Sequence, residues 1–107
     1  MSRWRLATAL VVAWVLPAAA AELKVIQKDE RFSEREMTAR VGDRLTFVNA
    51  DSVKHNVFSE TTMAFDIEQA PGRSDTVVLD SAGQLDIECA IHPKMRLKVK
   101  VESKRAW

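Results

Sequence analysis

Four side chains in this sequence have types and spacing that could do chemistry together: His55, Cys89, His92 and Met95. Cys89 is the only cysteine, so it has no disulfide partner within the chain. In an oxidising compartment a free accessible thiol is oxidised or crosslinked, so Cys89 is either buried and inert or engaged in something. Burial as a small apolar residue is the plain alternative. The segment Cys89-Ala90-Ile91-His92-Pro93-Lys94-Met95 favours engagement. Strand alternation puts Leu85, Ile87 and Cys89 on one face of an incoming strand, and Met95, Leu97, Val99 and Val101 on the core face of an outgoing one. His92 falls in the loop between them, where Pro93 biases it toward an extended backbone. A turn of this length can bring sulfur, imidazole and thioether close together.

A fourth donor lies upstream in Ser52-Val53-Lys54-His55-Asn56-Val57-Phe58, where His55 shares strand parity with Val53 and Val57. A histidine among valines is often a satisfied core residue, but the chain has only two histidines and both fall in these segments. Two imidazoles, a thiolate and a weak axial thioether are the blue-copper electron-transfer set. Zinc more usually recruits a harder ligand or a second thiolate in place of methionine.

The elements that must position these residues read as short strands. Alternating runs cover residues 23–27, 36–41, 44–49, 55–59, 74–79, 84–89 and 96–102, with Gly42-Asp43 and Asp80-Ser81-Ala82-Gly83 as turns. Residues 61–73 lack clean periodicity and contain Pro71-Gly72, so they read as a long connection. No convincing helical stripe is present, although residues 31–37 could form a helical turn. The pattern predicts an all-β, Greek-key β-sandwich of about seven to eight short strands. Lys94, Arg96, Lys98 and Lys100 would give the closing strand a basic edge, either a solvated face or a means of attracting an acidic redox partner.

The chain has 107 residues, 16 basic against 15 acidic side chains, and 47% hydrophobic residues. This suits one globular domain and argues against a nucleic-acid binder relying on bulk basicity. Residues 1–21 read as a secretory signal peptide: Arg3 and Arg5, an apolar run from Leu6 to Leu16, Pro17, then small residues ending at Ala21. The apolar run is short for a bilayer span, which needs about 20 residues. The expectation is a domain of residues 22–107, periplasmic or otherwise exported, soluble and monomeric, with no membrane anchor after cleavage. A domain this small is often marginal without a metal or crosslinks.

With its His55-Asn56-Val57-Phe58 segment followed by the Cys-x-x-His-x-x-Met loop, the chain resembles the cupredoxins, blue copper proteins of the plastocyanin/azurin type. The loop is closest to that of the amicyanins. The resemblance spans roughly residues 23–102. It implies one type 1 copper ion held by His55, Cys89, His92 and Met95, with His55 buried and His92 exposed as the route for electrons. It also implies that Asn56 helps to hold the ligand loops together, and that the protein carries single electrons between protein redox partners. The sequence departs from amicyanin and plastocyanin in placing Lys54 and Lys94 where residues around the exposed ligand are mostly apolar. Copper delivery using the same ligands is the rival function. An enzyme is not expected, because neither Glu88 nor Ala90 is a histidine that could link Cys89 to a second copper, and no other histidine remains.

Overall fold

Alternation of apolar and polar side chains decides which face each strand buries, and the closing strand shows this most plainly. Along Arg96–Glu102, Leu97, Val99 and Val101 are buried while Arg96, Lys98, Lys100 and Glu102 face solvent. A computed structural model describes residues 19–103. The expected signal peptide therefore lies outside the described residues except for its last three positions.

The described residues form nine strands and no helix: β1 (Glu22–Lys28), β2 (Arg31–Phe32), β3 (Glu36–Arg40), β4 (Arg44–Asn49), β5 (His55–Ser59), β6 (Phe65–Gln69), β7 (Ser74–Val78), β8 (Gly83–Glu88) and β9 (Arg96–Glu102). Among the described residues, no helix is long and apolar enough to cross a membrane. The strands make a four-stranded sheet ordered β2-β1-β4-β7 and a five-stranded sheet ordered β3-β9-β8-β5-β6. The β1–β4 and β3–β9 pairs are parallel and the others antiparallel. Between the sheets pack Val25, Leu45, Phe47, Val57, Leu79, Leu85, Ile87 and the inner side chains of β9, all at most 4% exposed. Phe47 lies between Phe32 of β2 and Phe65 of β6, with ring centroids 6.5 and 6.2 Å away, within the range of favourable tilted pairs.

Three features depart from the sequence reading. Residues 31–37 contain no helical turn. Arg31–Phe32 instead pairs back onto β1, through a two-residue turn in which Asp29 and Glu30 have φ of 52° and 56°. Two successive left-handed residues make the tight hairpin turn that matches strand twist, and without glycine the pair gave little signal. The connection at residues 61–73 contains β6, paired along its length with β5; its inward positions end on a polar residue, Gln69, which disguised the alternation. Finally, β9 is not an edge, because β3 and β8 flank it. Two of its three cations face acidic neighbours across the ladder, Glu88 opposite Arg96 and Asp86 opposite Lys98.

Gln69 is fully buried and ties the two sheets together. Its side chain accepts from the Gln27 amide of β1 and donates to the Phe47 carbonyl at 3.0 Å and to Asp75 Oδ2 at 3.0 Å. Leaving buried polar partners unmatched costs about 1–3 kcal/mol each. Gln69→Leu is therefore expected to destabilise the metal-free protein by about 2 kcal/mol or more, read from urea unfolding. The Arg73 guanidinium holds the Asp75 carboxyl below its usual range; burial opposes this and the Gln69 amide reinforces it. A carboxyl lowered on folding contributes stability that is present above its unfolded pKa, about 3.9. That contribution is lost as pH falls through the lowered folded value. The stability advantage of the wild type over Asp75→Asn should accordingly shrink between pH 6 and pH 3, in urea titrations at the two pH values (about two units above and about one unit below the unfolded pKa).

Candidate metal centre

Loop architecture at one pole of the sandwich begins with Asn49 at the end of β4. Its Oδ1 accepts the Asp51 N–H at 3.0 Å, a local turn, while its Nδ2 donates to the Val53 and Gln69 carbonyls at 2.9 and 3.0 Å. The loop so shaped delivers His55 as the first residue of β5, fully buried. On the neighbouring strand, Cys89 follows β8 and is 1% exposed, continuing the inward face of Leu85 and Ile87. The chain then turns back to β9 through Pro93 and Lys94. The turn closes with a hydrogen bond from the Met95 N–H to the His92 carbonyl, at 2.9 Å, and Pro93 supplies the fixed φ suited to its first inner position. Met95 enters the core at 1% exposure, whereas the His92 side chain keeps 20% of its surface.

Nδ1 of His55, Nδ1 of His92 and Sγ of Cys89 converge. The two nitrogens are 3.1 Å apart, and the sulfur lies 3.9 Å from the first and 3.8 Å from the second. With metal bonds of about 2.0 Å to imidazole and 2.3 Å to thiolate, a trigonal ion separates nitrogen from sulfur by about 3.7 Å. The nitrogen–sulfur distances match that spacing and the two nitrogens lie somewhat closer, and with Met95 the donors are arranged as a type 1 copper site. The parity argument from sequence pointed His55, Cys89 and Met95 inward, and all three are buried; the loop residue His92 joins His55 and Cys89 in the donor cluster. The same argument misjudged Val53, which is 43% exposed and does not share the buried face.

Hydrogen bonds fix these donors. His55 Nε2 lies 2.6 Å from Asp51 Oδ2. An ionised carboxylate only accepts, so Nε2 carries the proton and Nδ1 presents its lone pair inward. The bond to His55 holds the Asp51 carboxyl down at about 2; the Glu30 and Asp29 N–H groups add to this, against desolvation. Asn56 joins the two ligand segments. Its N–H donates to Cys89 Sγ at 3.4 Å, its Oδ1 accepts the Ala90 N–H at 2.8 Å, and its amide donates to Asp66. Asp51 and Asp66 were not singled out as site residues from the sequence. Asp51 stands four residues before His55, a spacing that carries no signal without the Asn49 turn that folds it back. Lys54, expected beside the site, is paired with Glu68 at 2.8 Å. Met63 is partly buried against the core.

Comparison with known proteins agrees with this geometry. Residues 19–102 match the family described as copper binding proteins, plastocyanin/azurin family. The methylamine utilization protein MauL of Methylorubrum extorquens is 33% identical over 97 residues, covering 88% of this chain and 85% of that protein. An amicyanin variant in its oxidized state superimposes with a TM-score of 0.70 and 28% identity, over 79% of this chain and 85% of its own. A copper-containing nitrite reductase from Thermus scotoductus shares the fold alone, with a TM-score of 0.68 and 19% identity over 75% of this chain and 22% of the enzyme. With its donor cluster and its amicyanin-like sandwich, the chain belongs to the plastocyanin/azurin family of copper-binding proteins.

Proposed function

We propose that this protein is an exported, mononuclear blue-copper electron carrier, in which His55, Cys89 and His92 would hold the metal and Met95 would add a weak thioether donor. The observation that carries this reading is the convergence of two imidazole nitrogens and one thiol sulfur, all within 4.8 Å of one another. Copper held there supplies a one-electron Cu(II)/Cu(I) couple, so a donor protein gives up one electron and an acceptor protein receives it. The residues do the rest. Cys89 binds as the thiolate, releasing its proton on metal binding, and the Asn56 N–H stabilises the charge on sulfur. Asp51 fixes the tautomer and orientation of His55. The close packing of Cys89, His55 and Met95 resists movement of the donors, which keeps reorganisation between the two oxidation states small. His92, the donor nearest solvent, is the route by which electrons enter and leave.

A catalytic role is disfavoured by the residues flanking Cys89, Glu88 and Ala90, neither of which can link the site to a second copper. The proposed leader, residues 1–21, directs the domain of residues 22–107 to the periplasm or another exported location, where it acts as a soluble monomer. Copper delivery with the same ligands is the rival reading, and reversible redox cycling separates the two.

Two measurements test this reading. Adding Cu(II) to the metal-free protein should give an intense blue colour that bleaches on reduction and returns on reoxidation, and Cys89→Ala should abolish it. A colourless product with stoichiometric metal would support delivery, storage or zinc binding instead. Because weak thioether donation favours Cu(I), Met95→Gln should keep the colour and lower the reduction potential in voltammetry. An unchanged potential would argue against axial ligation.

A further inference from the structure

The outer nitrogen of each histidine faces a carboxylate, and the two carboxylates belong to one hydrogen-bonded unit. Asp51 is its hub. Oδ1 accepts the Asp29 N–H at 2.7 Å, while Oδ2 accepts the Glu30 N–H at 3.0 Å and meets His55 Nε2 at 2.6 Å. Asp29 and Glu30 form the tight β1–β2 turn, both with left-handed backbones. From that anchored turn the Glu30 side chain reaches His92, placing Oε1 3.3 Å from Nε2. A chain of contacts therefore runs from one imidazole through Asp51 and the backbone of Glu30 to the other imidazole.

We propose that Glu30 is a positioning residue for His92, and that the Asp51-anchored β1–β2 turn is a clamp orienting both imidazoles from outside. The clamp rests on the ligand assignment above and acts in three ways. The Glu30 carboxylate, 3.3 Å from Nε2, favours the proton on that nitrogen, which leaves the lone pair of His92 on Nδ1, the atom aimed at Cys89 and His55. An ion pair between two freely moving surface groups contributes little, but here the turn backbone is fixed by two bonds to one carboxylate, so less ordering entropy opposes the contact. The negative charge of Glu30 beside a ligand ring also makes the ring a better donor and favours the more positive oxidation state of the metal. The exposed ligand is thereby held from the solvent side instead of being left to rotate.

The test uses the protein loaded with Co(II) alone, whose ligand imidazole N–H protons give strongly shifted, solvent-exchangeable NMR resonances, and in parallel the Cu-loaded protein. The wild type should show two such resonances, the one from His92 surviving exchange because Glu30 holds it. Glu30→Ala should lose that resonance, and Glu30→Gln, which keeps an acceptor oxygen, should retain it. Both variants lack the charge and should raise the reduction potential of the copper protein. Since 61% of the Glu30 side chain is exposed, neither change empties the core. Two resonances and an unchanged potential in Glu30→Ala would overturn the clamp while leaving the ligands intact. A wild type with no shifted imidazole resonances and no blue colour would overturn the ligand assignment, and the clamp with it.

Discussion

Three electron-rich atoms aimed at one another repel unless a cation lies among them. The approach of His55 Nδ1, His92 Nδ1 and Cys89 Sγ, 3.1–3.9 Å apart, is the constraint on which the pole of this sandwich depends. Nothing local to any one donor could enforce it, since His55 lies 34 residues before Cys89. It is enforced by two sheet strands that carry the donors and by hydrogen bonds that prevent them from turning away. Asn56 matters most here, because one residue contacts the sulfur, the backbone after it and a carboxylate on β6.

The rest of the fold serves as a rigid mount. Gln69 links β6 to both β1 and β4 across the interface between the sheets, so the strand beside β5 is tied to the opposite layer. The neighbouring Asn49 shapes the loop that presents Asp51 and then His55. Buried amides are costly unless partnered, and Gln69 and Asn49 each make several hydrogen bonds to other segments. A metal bound by the folded chain and not by the unfolded one adds stability of its own, which suits a domain without disulfides.

Much of the donor set was legible in the sequence because its information is local. Cys89, His92 and Met95 sit within seven residues, and two-residue periodicity on the flanking strands determines which of them point inward. Strand β9 and the inward face of β8 followed from the same alternation. What escaped detection was whatever depends on tertiary pairing. The β1–β2 hairpin is built on Asp29 and Glu30, residues with no marked turn preference together, held left-handed by Asp51 from a distant loop. Strand β6 ends on an inward glutamine whose partners lie on the other sheet. The basic residues of β9 read as a protected edge, because sequence alone does not reveal that β3 returns in parallel beside them. Asp51 itself resembled any loop aspartate.

The central claim is that one copper ion is bound by a thiolate and two imidazoles supplied by this cluster. X-ray absorption at the copper edge of the Cu-loaded protein tests it most directly. The account predicts a single short sulfur scatterer together with two imidazoles in the first coordination sphere, and loss of the sulfur scatterer in Cys89→Ala. Coordination by nitrogen and oxygen alone, with Cys89 unligated in the intact protein, would contradict it.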